Sequence, residues 1–243
     1  MVAYWWRTGA ALCTVVIACP APAASAPPDP LPSRLEIWAG AGGTSHAWSL
    51  YSGFTYAPFG PLAAEGWRLR IVAGYGEYHY RGGSAVGQAT VQGTATFADA
   101  LVGYQTRLGV AIIKAFAGVN ADLHGLDPND PDNAVSGDAI GWKLGFEGWL
   151  DVTPAIWTAL DLSYASAHDS YASRVRFGYR LSPELSLGLE AGAFGNAESD
   201  SGRGGAFIRY QWLSGEISLS AGISGDIDQP TNPYGSVLWL TRY

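Results

Sequence analysis

The chain has 243 residues and a net charge of −7, with 14 Lys and Arg against 21 Asp and Glu. Binding to nucleic acid needs clustered Lys and Arg, and because the sequence has no such cluster, nucleic acid is excluded as a partner. The composition is 48% apolar and 13% aromatic with 32 glycines, which favours strands over helices. The length fits a single β domain.

Residues 1–26 are predicted to be a secretory signal peptide. Arg7 precedes a largely apolar stretch at residues 9–18, and small residues and prolines follow it as far as Ala26. A segment of this kind is too short and wrongly flanked for a spanning helix. Cleavage is expected near residues 23–26, so that a short N-terminal segment, residues 27–34, begins the mature chain.

Both cysteines, Cys13 and Cys19, lie within the predicted signal peptide. If the peptide is removed, the mature protein has no disulfide, and its stability must come from the strand network. In an alternative interpretation, Val16 to Cys19 form a lipoprotein-type cleavage site and Cys19 is acylated. A barrel that lipid already holds would gain little from such an anchor.

Residues 35–243 read as segments of about ten residues in which apolar side chains alternate with small or polar ones, the pattern of an outer-membrane β-barrel. No run of about 18 apolar residues follows the signal peptide, so a closed barrel is the remaining way to cross lipid. Strands are predicted near residues 35–43, 46–57, 66–80, 92–106, 109–121, 138–150, 155–167, 171–181, 185–196, 203–212, 216–225 and 234–243.

The joints between these strands alternate in length. Short joints follow even strands, as at 107–108 and 213–215, whereas long joints follow odd strands, as at 81–91 and 122–137. The prediction is therefore an all-β, closed antiparallel transmembrane barrel of about twelve strands. An even number of strands places both termini on the periplasmic side.

Alternation within the strands separates two faces, because successive side chains point to opposite sides of a sheet. In the third strand Trp67, Leu69 and Ile71 share one face, and Arg68 and Arg70 the other. A soluble β-sandwich would also alternate, but its polar face would carry many solvating Lys and Glu. Here that face is mostly small residues with isolated charges, so the apolar face is predicted to contact lipid.

The charged residues of the inward face are predicted to form a network in the lumen, because charges in a poorly hydrated interior need partners. The network could brace or plug the barrel, or line a narrow path for polar or acidic solutes, and twelve strands do not decide between these. The predicted members are Arg68, Arg70, Asp99, Lys114, Lys143, Glu147, Asp161, Arg174, Arg176, Arg180, Glu190 and Arg209.

The inward face also carries aromatic residues. Aromatic rings beside carboxylates and guanidinium groups are a common surface for sugars, so these rings are candidates for glycan contact. They could equally fill the space between layers of side chains. The candidates are Trp38, Tyr51, Trp149, Trp157, Phe194 and Phe207.

No catalytic residue, metal site or cofactor is predicted. Glu77 and His79 share the outward face near the rim, and His168, Asp169 and Ser170 are adjacent, but neighbours in sequence rarely form a nucleophile and its base, and no G-x-S-x-G motif occurs. The acidic segment from Asp127 to Asp132 departs from an EF-hand loop. It is predicted to be a stiff, solvated loop.

Short segments spread through the mature chain together resemble the cellulose biosynthesis protein BcsS family of bacteria. They are Tyr56 to Gly60, Gly66 to Arg70, Gly178 to Arg180, Leu187 to Glu190, Gly195–Asn196, Gly202–Arg203, Gly205 to Phe207, Gly215–Glu216 and Pro233 to Gly235. The glycines in them also have a structural explanation, since glycine permits close backbone approach.

The resemblance implies a non-enzymatic outer-membrane protein that takes part in cellulose biosynthesis or secretion. It implies outer-membrane lipid as a partner, with cellulose or components of the cellulose synthase complex as further candidates. It supplies no catalytic residues. Two alternatives stay open: a porin-like channel for small solutes, and a lipid-modifying hydrolase.

Overall fold

The computed structural model describes residues 33–82, 86, 89–226 and 231–243. The predicted signal peptide lies outside these residues. The strands are β1 (Leu35–Gly43), β2 (Ala47–Tyr56), β3 (Gly66–Arg81), β4 (Thr90–Leu108), β5 (Ala111–Asp127), β6 (Gly137–Asp151), β7 (Ile156–Ala165), β8 (Ser170–Arg180), β9 (Leu185–Gly195), β10 (Asp200–Trp212), β11 (Gly215–Asp226) and β12 (Asn232–Arg242). A 3₁₀ turn, Ala167–Asp169, links β7 to β8.

The twelve strands form a closed barrel in which each strand pairs antiparallel with its neighbours in sequence. β1 closes the ring by pairing with β12, with Ala39 opposite Trp239 in the register. Closure leaves no free strand edge, which is the condition for a sheet to lie in hydrocarbon. The predicted all-β architecture, its closure and the number of strands are confirmed.

The strand boundaries agree with the prediction except around β5 and β10. β5 continues to Asp127, where it still pairs with Gln92 of β4, although the sequence predicted a loop from residue 122. Asp122 and Leu123 explain the difference: Asp122 is buried inside the barrel and Leu123 is exposed outside it. The polar residues there belong to a strand whose inner face is charged, and not to a loop.

The two openings of the barrel differ in what surrounds them. The terminal end, as we name it, carries both described chain ends, where the Arg34 N–H donates to the Tyr243 carbonyl at 2.7 Å. It also carries the joint at residues 57–65. The opposite, distal end carries the joint at residues 128–136. The two joints are equal in length, so the predicted contrast between short and long joints is weaker than expected.

The outer surface of the barrel is an apolar belt. Trp67, Leu69 and Ile71 expose between 41% and 52% of their surface. Aromatic pairs mark both margins of the belt: Trp67 with Tyr104 towards the terminal end, and at the distal end a second pair, Trp142 with Tyr164 at 5.1 Å between centroids. Two aromatic girdles around an apolar band are typical of barrels in outer membranes. Monomeric proteins in water rarely expose an apolar surface of this extent.

Within the described residues, the structure has no helix that is both long enough and apolar enough to cross a membrane.

Candidate functional site in the barrel lumen

The lumen holds most of the predicted charged residues in ion pairs. These side chains lie on the face opposite the apolar belt, as alternation predicted. The ion pairs join Arg70 and Lys114 to Glu147, Lys143 to Asp99, Arg174 to Asp161, Arg180 to Asp151, Arg203 to Glu190, Arg209 to Glu216, and Arg242 to Glu36.

Several of these contacts cross the lumen instead of joining neighbouring strands. Arg70 of β3 pairs with Glu147 of β6, and two strands lie between them in the ring. The hydroxyl of Tyr234 on β12 donates to Glu190 of β9 at 2.8 Å. Contacts of this kind tie together strands that are not hydrogen-bonded to each other, so they brace the barrel from inside.

Arg68 does not join the predicted charge network. Its guanidinium donates to the backbone carbonyls of Trp67, Leu62 and Ala64, and the side chain is only 2% exposed. Gln105 donates to the Leu62 and Ala64 carbonyls at 2.9 and 3.1 Å. These inward side chains therefore hold the 57–65 joint across part of the terminal opening.

Glu65 anchors the same joint on its outer side. Its carboxylate accepts hydrogen bonds from the backbone N–H of Arg107 at 2.7 Å and from the hydroxyl of Thr106 at 2.9 Å. These bonds, the backbone bond first, lower the pKa of Glu65 below its ordinary value of 4.5. Donors that point at a carboxylate favour its charged form.

We expect Glu65 to titrate below pH 4.5 in the folded barrel. Because the folded pKa is lowered, the bonds to Thr106 and Arg107 stabilise the fold above the unfolded pKa and are lost as the pH falls through the folded one. Carboxyl chemical shifts recorded by NMR during an acid titration measure this pKa. A Thr106→Val variant, which removes one donor, should move it back towards 4.5. An unshifted pKa in the wild type would contradict the assignment.

Aromatic rings of the inner face lie against glycines of the adjacent strand. In each pair the two residues are directly opposite in the register, and a Cβ on the glycine would overlap the ring. The pairs are Trp38 with Gly53, Tyr51 with Gly40, Phe97 with Gly74, Phe116 with Gly103, Trp157 with Gly178, and Phe207 with Gly188. These six glycines therefore make room for rings against the wall.

Cations cover several of these rings on the side facing the lumen. The Arg70 guanidinium carbon lies 3.9 Å from the Phe116 centroid. That of Arg209 lies 5.2 Å from Trp149 and 5.5 Å from Trp157. Such cation–π contacts stabilise both partners when they are shielded from water. The lumen is thus layered as glycine backbone, aromatic ring, cation and carboxylate.

Burial separates the aromatic residues predicted to contact a glycan. Trp157 and Phe207 are 0% and 4% exposed and pack against each other, with Trp149 stacked on Trp157 at 4.3 Å. Enclosed rings cannot touch a sugar, so the prediction is wrong for Trp157 and Phe207 in this structure. Trp149 and the remaining candidates, Trp38, Tyr51 and Phe194, are at least partly exposed, and for them glycan contact stays a prediction.

The 128–136 joint closes over the distal opening. Tyr80 donates to Asp130 at 3.1 Å and accepts from the Asn133 amide at 2.7 Å. The Ala134 N–H donates at 3.0 Å to Glu198, in the joint between β9 and β10. The prediction of a solvated loop agrees with the exposure of Asn129 and Asp132. It is wrong for Asp130, which is 2% exposed because its side chain turns inward to the Tyr80 hydroxyl.

A Tyr80→Phe variant should loosen the 128–136 joint, since it removes the hydroxyl that both Asp130 and Asn133 use. Each buried partner that loses its hydrogen bond costs about 1–3 kcal/mol of local stability. Limited proteolysis of the barrel in detergent should then cut this joint faster than in the wild type. Tyr171→Phe, which removes a hydroxyl bonded to Asp200, is the control and should leave this cleavage rate unchanged.

Two of the residues weighed as catalytic candidates, Glu77 and Ser170, are engaged in other contacts. Glu77 accepts from Tyr75 at 2.7 Å and from the Trp48 indole at 3.3 Å. The Ser170 hydroxyl donates to the Ala167 carbonyl at 3.2 Å. Among the described residues, no hydrogen bond joins Ser170 to His168.

Residues 37–242 match the model of the family described as cellulose biosynthesis protein BcsS. The chain belongs to this family. The match covers the barrel nearly from end to end, and it confirms the resemblance noted in the sequence. The protein is thus a β-barrel member of a cellulose biosynthesis family. Comparison with curated proteins gives no significant match.

Solved structures with a similar fold are outer-membrane barrels. An outer-membrane channel from Pseudomonas putida F1 shares 12% identity at a TM-score of 0.55, over 88% of this chain and 96% of that one. The translocator domain of the autotransporter NalP from Neisseria meningitidis shares 14% identity at a TM-score of 0.50, over 86% and 89%. Identities this low show the fold alone.

Sequence reasoning missed two cations of the lumen network, Arg203 and Arg242. Arg203 pairs with Glu190, and Arg242 donates to Glu36 at 3.0 Å. Both lie at strand ends, where the predicted boundaries were least certain. The sequence did carry a signal for Arg203. It lies an even number of residues before Arg209 on β10, so both side chains point to the same face of the strand.

Proposed function

We propose that this protein is a non-enzymatic barrel of the bacterial outer membrane that serves cellulose secretion or its assembly at the envelope. The family match over residues 37–242 is the observation that carries the proposal. The apolar belt with its two aromatic girdles supports a position in the outer membrane. In this position the terminal end faces the periplasm, as in other barrels with an even number of strands.

We further propose that the barrel supports the cellulose machinery without serving as an open conduit for the polymer. The ion pair between Arg70 and Glu147 joins strands that are not neighbours, and so does the hydrogen bond from the Tyr234 hydroxyl to Glu190. The joints at 57–65 and 128–136 cover parts of the two openings. A glucan chain would have to displace all of these groups to pass.

Deleting the gene should lower the amount of cellulose outside the cell, which dye binding to intact cells measures. Expression of the wild-type protein from a plasmid should restore it. As a control, the deletion strain should grow normally and keep normal levels of other outer-membrane proteins, which excludes a general envelope defect. Unchanged cellulose output in the deletion strain would overturn the proposed role.

A further inference from the structure

Among the described residues, Arg176 is a buried cation of the lumen that has no ion-pair partner. Its side chain is 9% exposed, and its Nε is enclosed without a hydrogen-bond partner. The neighbouring lumen arginines differ. Arg174 donates to Asp161 at 3.0 and 2.9 Å, and Arg209 pairs with Glu216. Within the described part of the chain, no ion pair or hydrogen bond reaches the Arg176 guanidinium.

The residues opposite Arg176 in the register do not supply a carboxylate. Its partner on β7 is Ala159, which has no polar side chain. Its partner on β9 is Glu190, but Glu190 turns towards β11 and β12. There it accepts from Tyr234 at 2.8 Å and from Ser220 at 3.1 Å. The carboxylate nearest in the register is therefore occupied elsewhere.

The surroundings of Arg176 are aromatic and electropositive. Its guanidinium carbon lies 5.8 Å from the centroid of Trp157 and 5.8 Å from that of Phe207. Its electrostatic neighbours include two more cations, Arg174 and Arg209, while the carboxylates in range are already paired with those cations. Ring faces offset part of the cost of burying a cation, but an unpaired buried charge stays strongly unfavourable.

We propose that Arg176 forms an internal anion-binding site, which holds a small monovalent anion, a halide or a carboxylate, inside the lumen. The guanidinium offers unused N–H donors, and Arg174 and Arg209 add to the positive field. Trp157 and Phe207 are enclosed, so their packing limits the site to a small ion. This inference is independent of the role in cellulose secretion, because it rests on the charges of the lumen.

The test measures the thermal unfolding midpoint of the refolded barrel in detergent. Sodium bromide or sodium acetate replaces sodium isethionate, a bulkier anion, at constant sodium concentration. An anion that binds only the folded state raises the midpoint in a saturable way. A response to bromide identifies a halide site, and a response to acetate alone identifies a carboxylate site. If neither raises the wild-type midpoint, the proposal is overturned.

Two variants decide whether the response comes from Arg176. Ala159→Asp places a carboxylate directly across the register from Arg176, where side chains are in contact distance, and should abolish the response while the barrel still folds. Lys143→Gln is the control, because Lys143 also covers a ring, Phe97, but has its own partner in Asp99. It should keep the wild-type response. A folded Ala159→Asp barrel that still responds fully would contradict the site.

Anomalous scattering from crystals soaked in bromide would locate the ion. The expected result is a peak beside the Arg176 guanidinium in the wild type and none there in Ala159→Asp. Bromide found only on the exposed surface would count against the proposal.

Discussion

Replacing Glu147 by Gln should destabilise the barrel by about 2 kcal/mol, between the cost of losing an exposed ion pair and that of breaking a buried one from one side. Glu147 is the common partner of Arg70 and Lys114, with side-chain exposures of 28%, 12% and 24% respectively. The amide keeps the shape but removes the charge, so two cations lose their partner at once. Urea unfolding of the barrel in lipid vesicles measures the loss.

Two further variants make the interpretation of Glu147→Gln specific. Asp132→Asn removes one negative charge from an exposed side chain of the 128–136 joint, and should change the free energy of unfolding by less than about 0.5 kcal/mol. The double variant Arg70→Gln with Glu147→Gln should lose less than the sum of the single losses, since the pair is coupled. Additive losses would mean that the Arg70 contact contributes nothing.

Gly178→Ala should destabilise the barrel by about 2 kcal/mol, in the range typical of overpacking a core. A Cβ at position 178 would overlap the indole of Trp157, directly opposite in the register. That indole is fully buried between Trp149 and Phe207. Because the ring has no space to move into, the strain falls on the β7–β8 pairing. The same urea titration measures the effect.

The matched control for Gly178→Ala is Gly235→Ala. Gly235 also lies within a strand, but the nearest atom to an added Cβ is the Ser220 carbonyl oxygen at 4.0 Å. The extra methyl group therefore fits without displacing a neighbour, and the free energy of unfolding should stay within about 0.5 kcal/mol of the wild type. Equal losses in both variants would show that glycine flexibility, and not the ring, sets the cost.

The alternation of side chains predicted which residues face the lumen, because a strand has a fixed period of two. Arg70, Glu147, Asp99 and Lys143 were assigned inward on this basis, and the structure joins them in ion pairs. The choice of partner was beyond prediction. Arg70 and Glu147 lie on strands separated by two others, so their contact depends on the curvature of the closed barrel, which no local pattern encodes.

Two further features could not be predicted from sequence because they also depend on the closed barrel. They are the guanidinium of Arg176, which is unpaired within the described residues, and the placing of glycines under the aromatic rings. Alternation places Arg176 and Glu190 on the same inner face, yet Glu190 turns to Tyr234, three strands away. Gly178 and Trp157 become partners only through the register between β7 and β8, and a single sequence does not specify that register. The inward turn of Asp130 likewise depends on Tyr80 of a different strand.

Single-channel recording in planar lipid bilayers tests most directly whether the lumen is braced shut. The purified wild-type barrel should insert without producing discrete current steps, because Arg70–Glu147 crosses the lumen and the 57–65 and 128–136 joints cover its ends. Regular steps of uniform size from the wild-type protein would show an open aqueous pore and would contradict this account.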